Sequence, residues 1–174
     1  MRRGEALGLR WSDVDLDGRT LRVGQSLQRL NGQLVLGETK TEQSRRVITI
    51  PLGAVSALRE YRTRQREERM KLGPDWQDTG LVFTTQWGTP IDPRNVKRAF
   101  DTLLDNAELP HMRLHDLRHA WASWLLAEGV DLKTISTILG HSSIRVTADV
   151  YAHVNQQQIS AAMNRLDQAI GKSH

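Results

Sequence analysis

The stretch LHDLRHAWASWLLAEG, Leu114 to Gly129, restricts the fold more than any other part of the chain. Leu114, Leu117, Trp121, Trp124 and Leu125 recur at helical spacing, which predicts a helix laying that stripe against a core. His115 and Arg118 are three apart, so a titratable imidazole and a permanent guanidinium share one side at the start of that helix. Such a pair suits an anion, above all a phosphate. Taken alone, His-x-x-Arg fits a solvated helix start better.

The stretches before it alternate between turn and strand signals. Asp17-Gly18 separates Val14 and Leu16 from Leu21 and Val23, and Asn31-Gly32 separates Leu27 and Leu30 from Leu34, Val35 and Leu36. Both dipeptides supply the positive φ angles of tight hairpins. With a third strand over Arg45 to Ile50 they predict a small three-stranded antiparallel sheet near the N-terminus, with residues 37–42 at its tip. A short helix is expected before Trp11. A longer one should run from Leu52, with Val55, Leu58 and Tyr61 or Arg62 as a narrow inward stripe, to Gly73-Pro74. Leu81-Val82-Phe83 reads as a strand-like piece. Asp92-Pro93 gives a cap and a first helical residue, followed by the apolar face Val96, Ala99, Phe100, Leu103, Leu104 and Ala107. After Gly129, Asp131 caps a helix carrying Leu132, Ile135, Ile138 and Leu139 that stops at Gly140. A last helix over Asn155 to Ile170 bears a weak stripe at Ile159, Met163, Leu166 and Ile170, suited to its own domain or to a neighbouring protomer. The architecture expected is one mainly α domain over 1–174.

Composition narrows the chemistry. With 39% apolar and 25% charged residues the chain has an ordinary globular balance. It has no cysteine, which excludes disulfides and thiolate chemistry and fits a reducing, cytoplasmic setting. No apolar run approaches membrane-spanning length and no signal peptide is visible. The net charge of +4, from 24 Lys and Arg against 20 Asp and Glu, leans toward an anionic partner. Arginine crowds the start, then Arg45 and Arg46, then Arg59 to Arg69, where Glu60, Glu67 and Glu68 make the run a solvated helix face.

Arg2, Lys40, His115 with Arg118, His141 and Tyr151 stand out, each weak alone. Arg2 fits a solvated terminus and Lys40 an edge-strand charge that discourages aggregation. His141, after a helix-ending glycine, fits a cap on the last carbonyls. Tyr151 fits a half-buried core residue with its hydroxyl at the surface. His111, His115 and His119 recur every fourth residue, but no Glu sits between them as in metallopeptidase helices, and Arg118 beside them repels a dication.

The separated motifs together resemble the catalytic domain of the tyrosine recombinases, or phage integrases. They are Arg2-Arg3-Gly4-Glu5-Ala6-Leu7-Gly8-Leu9 with Trp11-Ser12-Asp13-Val14-Asp15; Thr39-Lys40; His115-Asp116-Leu117-Arg118-His119; Leu139-Gly140-His141-Ser142-Ser143; and Tyr151-Ala152-His153-Val154, with 33 residues from Arg118 to Tyr151. The resemblance implies the fold of that catalytic domain and strand cleavage of double-stranded DNA through a 3′-phosphotyrosine. Tyr151 then matches the nucleophile. Arg2 and Arg118 match the two arginines that hold the phosphate oxygens. His115 matches the position that handles the nucleophile's proton, and His141 a second phosphate donor. Lys40 resembles the hairpin lysine that protonates the leaving 5′-oxygen, and Glu5 the acid that orients its neighbours. Arg3, Arg45 and Arg46 are candidates for contact with the DNA backbone.

The family's chemistry uses no metal, nucleotide or other cofactor, and the sequence has no Walker-type loop. Its members act as homo-tetramers on paired sites. They also carry a core-binding domain ahead of the catalytic one. This chain opens at the catalytic arginine, so an N-terminally truncated domain is expected, binding DNA weakly and cleaving poorly by itself. Two rivals stand beside the recombinase: a DNA-binding module that keeps the fold without turnover, and a type IB topoisomerase-like relaxer.

Overall fold

Two glycines fix where the first helix lies. In the computed structural model, which describes residues 1–38 and 45–140, Arg3–Leu7 forms α1, and it rests on the backbone of strand β3, Gln25–Leu30. A Cβ on Gly4 would stand 2.5 Å from Ser26 Oγ and 2.9 Å from the Leu27 carbonyl oxygen. A Cβ on Gly8 would stand 3.0 Å from Leu27 N and 3.1 Å from Ser26 N. Alanine gains up to about 1 kcal/mol over glycine inside a helix. Overpacking against a backbone that cannot retreat costs about 1–3 kcal/mol. Gly4→Ala is therefore expected to lower stability, whereas Gly53→Ala, in open space, should be neutral or stabilising; chemical denaturation of the two variants checks this.

The described residues divide into two units, Met1–His115 and one beginning at Asp116. In the first, β1 (Val14–Asp15), β2 (Thr20–Val23) and β5 (Arg46–Thr49) form an antiparallel sheet in the order β1-β2-β5, pairing Leu21 with Ile48 and Val23 with Arg46. The hairpin of β3 and β4 (Gln33–Glu38) is a separate two-stranded ribbon, with Leu27 opposite Leu36. The expected three-stranded antiparallel sheet is present, but its strands differ: among the described residues β3 and β4 leave it as a ribbon of their own, and the break falls at Gly24, the single residue between β2 and β3. Asn31 and Gly32 both take positive φ, 47° and 84°, as the tight hairpin requires. The earlier turn works differently. Asp15 Oδ1 accepts from the N–H groups of Asp17 and Gly18, and the left-handed residue is Arg19 at φ 53°.

Behind the sheet lies α2 (Leu52–Leu72), ended by Gly73 at φ 55°. Leu9, Leu21, Val23, Ile50, Val55 and Val82 form the core, with Trp11, Leu58 and Phe83 against it. Tyr61 meets Phe83 at 5.4 Å between ring centroids. The one polar side chain that α2 buries, Gln65, has its hydrogen bonds filled: it accepts from Trp11 Nε1 at 2.7 Å and donates to the Val82 carbonyl at 3.0 Å and Thr84 Oγ1 at 2.9 Å. The piece Leu81-Val82-Phe83 is reduced to one bridge, Arg10 to Leu81, with Val82 N donating to the Leu9 carbonyl.

Helix α3 (Pro93–Asn106) starts as its sequence predicts, with Asp92 accepting from Arg94 N at 2.8 Å. Its second oxygen pairs with Arg29 of β3, tying helix to ribbon. Its inward face is narrower than expected. Leu104 is buried and Val96 and Phe100 are half-buried, while Ala99, Leu103 and Ala107 are exposed.

In the second unit α4 (Asp116–Ala127) packs on α5 (Leu132–Leu139), whose N-cap Asp131 accepts from Thr134 N at 2.9 Å. Here the expected stripe holds at Leu125, which packs inward, and at half-buried Leu114, and fails at its three middle members. Leu117, Trp121 and Trp124 are 46%, 41% and 58% exposed. The packed side is displaced by one residue, a rotation of about 100°: Arg118 and Ala122 are buried, and Leu125 and Leu126 lie against Ala122, Ile135 and Leu139. Ala122 is fully buried, and its small side chain lets α5 approach closely. Counting large apolar residues selects the wrong face for that reason. No helix among the described residues is long and apolar enough to cross a membrane.

Candidate active site

Arg2 is the N-cap of α1, and Glu5 occupies the third helical position, where a carboxylate can turn back to the cap. Arg2 N donates to Glu5 Oε2 at 2.7 Å, and Arg2 Nη1 donates to Glu5 Oε1 at 3.2 Å. This is why the arginine must stand three residues before the acid. Its side chain remains 46% exposed, whereas that of Glu5 is 3% exposed. The carboxylate has a second cation beneath it. Arg46 of β5 donates from Nη2 to Glu5 Oε2 at 2.9 Å and from Nη1 to Oε1 at 3.4 Å.

Burial pushes the Glu5 carboxyl up; the hydrogen bonds from Arg46 and from the Arg2 backbone, with both positive charges, outweigh it and hold the group below its ordinary 4.5. A folded-state value below the unfolded one means stability that is complete above about pH 4.5 and is lost as pH falls through the lowered value. Glu5→Gln removes this dependence. Denaturation between about pH 6 and about pH 3 should show the wild type losing more stability than the variant over that window.

Arg46, one of the candidates for contact with the DNA backbone, has an inward place on β5. On β5 it alternates with Val47, which is 66% exposed, and shares the half-buried side with Ile48. The signal is legible in principle: an arginine in the inward register of an otherwise apolar strand requires a carboxylate partner. Arg45 is exposed and pairs with the equally exposed Glu38, and Arg3 is exposed on α1.

In the second unit Arg118 is 7% exposed, and its Nη2 donates to the carbonyl of Leu139. That carbonyl lies in the last turn of α5, where a cation is favoured by the helix dipole. Gly140 then ends the helix in the left-handed region at φ 68°. One side chain thus ties the start of α4 to the residue pair that precedes His141. His115, exposed, is the last residue of the first unit. His111 Nε2 lies 3.3 Å from Asp105 Oδ1. No cluster among the described residues gathers three or more groups able to hold a metal ion. Lys40, His141, Tyr151 and the Asn155–Ile170 helix lie outside the described residues.

The structure thus brings Arg2, Glu5 and Arg46 together in the first unit and places Arg118 against the end of α5 in the second. Comparison with known proteins adds the family. Residues 1–158 match the profile of the phage integrase family. The chain is 36% identical to a protein named tyrosine recombinase XerC-like from Caldanaerobacter subterraneus subsp. tengcongensis, over 96% of this chain and 46% of that protein. It is 30% identical to the ICEBs1 integrase of Bacillus subtilis, over 96% of this chain and 45% of that one. The chain spans about half the length of these curated relatives. The fold is similar to that of the Tn1549 transposon integrase solved with circular intermediate DNA, with TM-score 0.77 and 26% identity over 95% of this chain and 56% of that one.

Proposed function

The chain belongs to the phage integrase family, and from that premise we propose that it carries the catalytic centre of a site-specific DNA recombinase. Tyr151 attacks a phosphodiester in duplex DNA, joins to the 3′-phosphate and releases a 5′-hydroxyl. A second strand's 5′-hydroxyl reverses the step on a new partner. The bond energy stays in the phosphotyrosine, so neither a nucleotide nor a metal is called for. A phenol with a pKa of about 10 is neutral at pH 7 and needs a base, the role of His115. Charge builds on the non-bridging oxygens as phosphorus becomes five-coordinate. Planar guanidinium forks at Arg2 and Arg118 meet it, with His141 as a further donor. Lys40 returns a proton to the leaving oxygen. In this reading the protein acts as a tetramer on paired DNA sites.

The observation that carries this reading is the state of Arg2. A half-exposed guanidinium is steered by a buried carboxylate that is itself ion-paired from behind. A solvated terminus has no use for that support. The DNA-bound transposon integrase of the same fold supplies the substrate class.

A pool of randomised duplexes, each nicked so that the 5′-hydroxyl fragment diffuses away, tests the proposal. The expected product is a covalent protein–DNA adduct on Tyr151, absent in Tyr151→Phe. Binding without any adduct would overturn it in favour of a DNA-binding module that lacks turnover. Relaxation of supercoiled plasmid without strand exchange would place the activity with the type IB topoisomerases instead.

A further inference from the structure

We propose that Arg46 is a positioning residue for Arg2, acting through Glu5, and not a contact to DNA. The assignment rests on the role proposed for Arg2. Three observations carry it. The Arg46 side chain is 8% exposed, and its guanidinium is turned onto the Glu5 carboxylate. Its fork meets both oxygens of Glu5, at 2.9 Å and 3.4 Å. Those same two oxygens hold the backbone and the side chain of Arg2, at 2.7 Å and 3.2 Å. The carboxylate is therefore a bridge with a cation on each side. One end is anchored in β5, which is itself paired along β2, and the other end aims the half-exposed guanidinium.

The bridge has a mechanical consequence. A five-residue helix has little rigidity of its own, because its first turn satisfies few backbone hydrogen bonds. Packing on β3 sets the helix backbone but not the rotamer of the Glu5 side chain. Clamped by a bidentate arginine from a paired strand, the acid has one orientation, and so does Arg2. Oxyanion-type stabilisation depends on donors already in place when charge develops, so a loosened Arg2 should cost rate while leaving DNA affinity alone. Glu5 is ionised at neutral pH, since its carboxyl is held below the ordinary range, and the bridge is intact where the enzyme works.

The test compares Arg46→Met and Arg46→Lys with the wild type. Each is assayed for adduct formation at saturating nicked DNA, for DNA affinity over a salt series, and for solvent exchange of the Arg2 backbone N–H. Arg46→Met should slow adduct formation about tenfold or more, the loss expected when an active-site group is held about 1 Å too loosely. Affinity and salt slope should stay at wild-type values, and the Arg2 N–H should exchange faster. Arg46→Lys keeps the charge and removes the fork, so it should fold and still fall short of wild-type rate. Glu5→Gln should reproduce the slowing, and Arg46→Met combined with Glu5→Gln should fall no further than either alone. A weakened affinity with the salt slope reduced by about one, and an unchanged rate at saturation, would make Arg46 a phosphate contact and overturn the proposal. So would an unaltered Arg2 N–H exchange. That last measurement needs no catalysis, so it separates failure of the clamp from failure of the recombinase reading.

Discussion

Arg118→Ala is expected to cost about 10²–10³ in the rate of adduct formation and, separately, about 2–3 kcal/mol of stability. The first loss follows from removing a guanidinium proposed to hold a phosphate oxygen as its charge grows. The second follows from the structure alone. Arg118 is 7% exposed and donates to the Leu139 carbonyl, so alanine leaves that acceptor without its charged donor beside a new void. Arg118→Lys separates the two effects. An ammonium on a flexible stem can still reach one carbonyl, but it cannot present a planar pair of donors. The lysine variant should recover most of the stability, measured by chemical denaturation, and remain at least about tenfold slow in single-turnover cleavage. A lysine variant as fast as wild type would remove Arg118 from the reaction and leave it as a tie between two helices.

Much of this arrangement is legible in the residues because it is local. The helix start at Asp92-Pro93, the hairpin at Asn31-Gly32 and the stop at Gly140 each depend on one or two side chains whose backbone preferences survive any tertiary context. The pairing of Arg2 with Glu5 is likewise a three-residue relation along one helix start. What the sequence hides is non-local. Arg46 lies 41 positions from Glu5, and no spacing announces their contact. The strand break at Gly24 separates two pairings that a count of turn dipeptides merges into one sheet. The α4 stripe fails in its middle for a different reason. Leu117, Trp121 and Trp124 are the bulky apolar residues, so periodicity favours their face, yet the small Ala122 and the long Arg118 make the packed one. An arginine scores as polar in any such count, although its methylene stem packs against apolar neighbours and its head can turn to an internal carbonyl.

Arg2→Ala is expected to cost a comparable 10²–10³ in adduct formation while shifting stability by less than about 1 kcal/mol. The contrast with Arg118 comes from burial. Arg2's side chain is 46% exposed, and its pair with Glu5 is one of two that the carboxylate makes; Arg46 still balances the acid when Arg2 is shortened. The backbone N–H that donates to Glu5 Oε2 also survives the substitution, so the cap on α1 stays closed. Arg3→Ala is the control. Arg3 is exposed one residue along, out of register with Glu5, and its loss should change the rate by less than about threefold and stability by less than about 0.5 kcal/mol. Rate measured at saturating nicked DNA, with denaturation run on the same preparations, distinguishes the two arginines. If Arg3→Ala were the slow variant, the register with Glu5 would carry no weight, and the carboxylate clamp would be aiming a side chain that the reaction does not use.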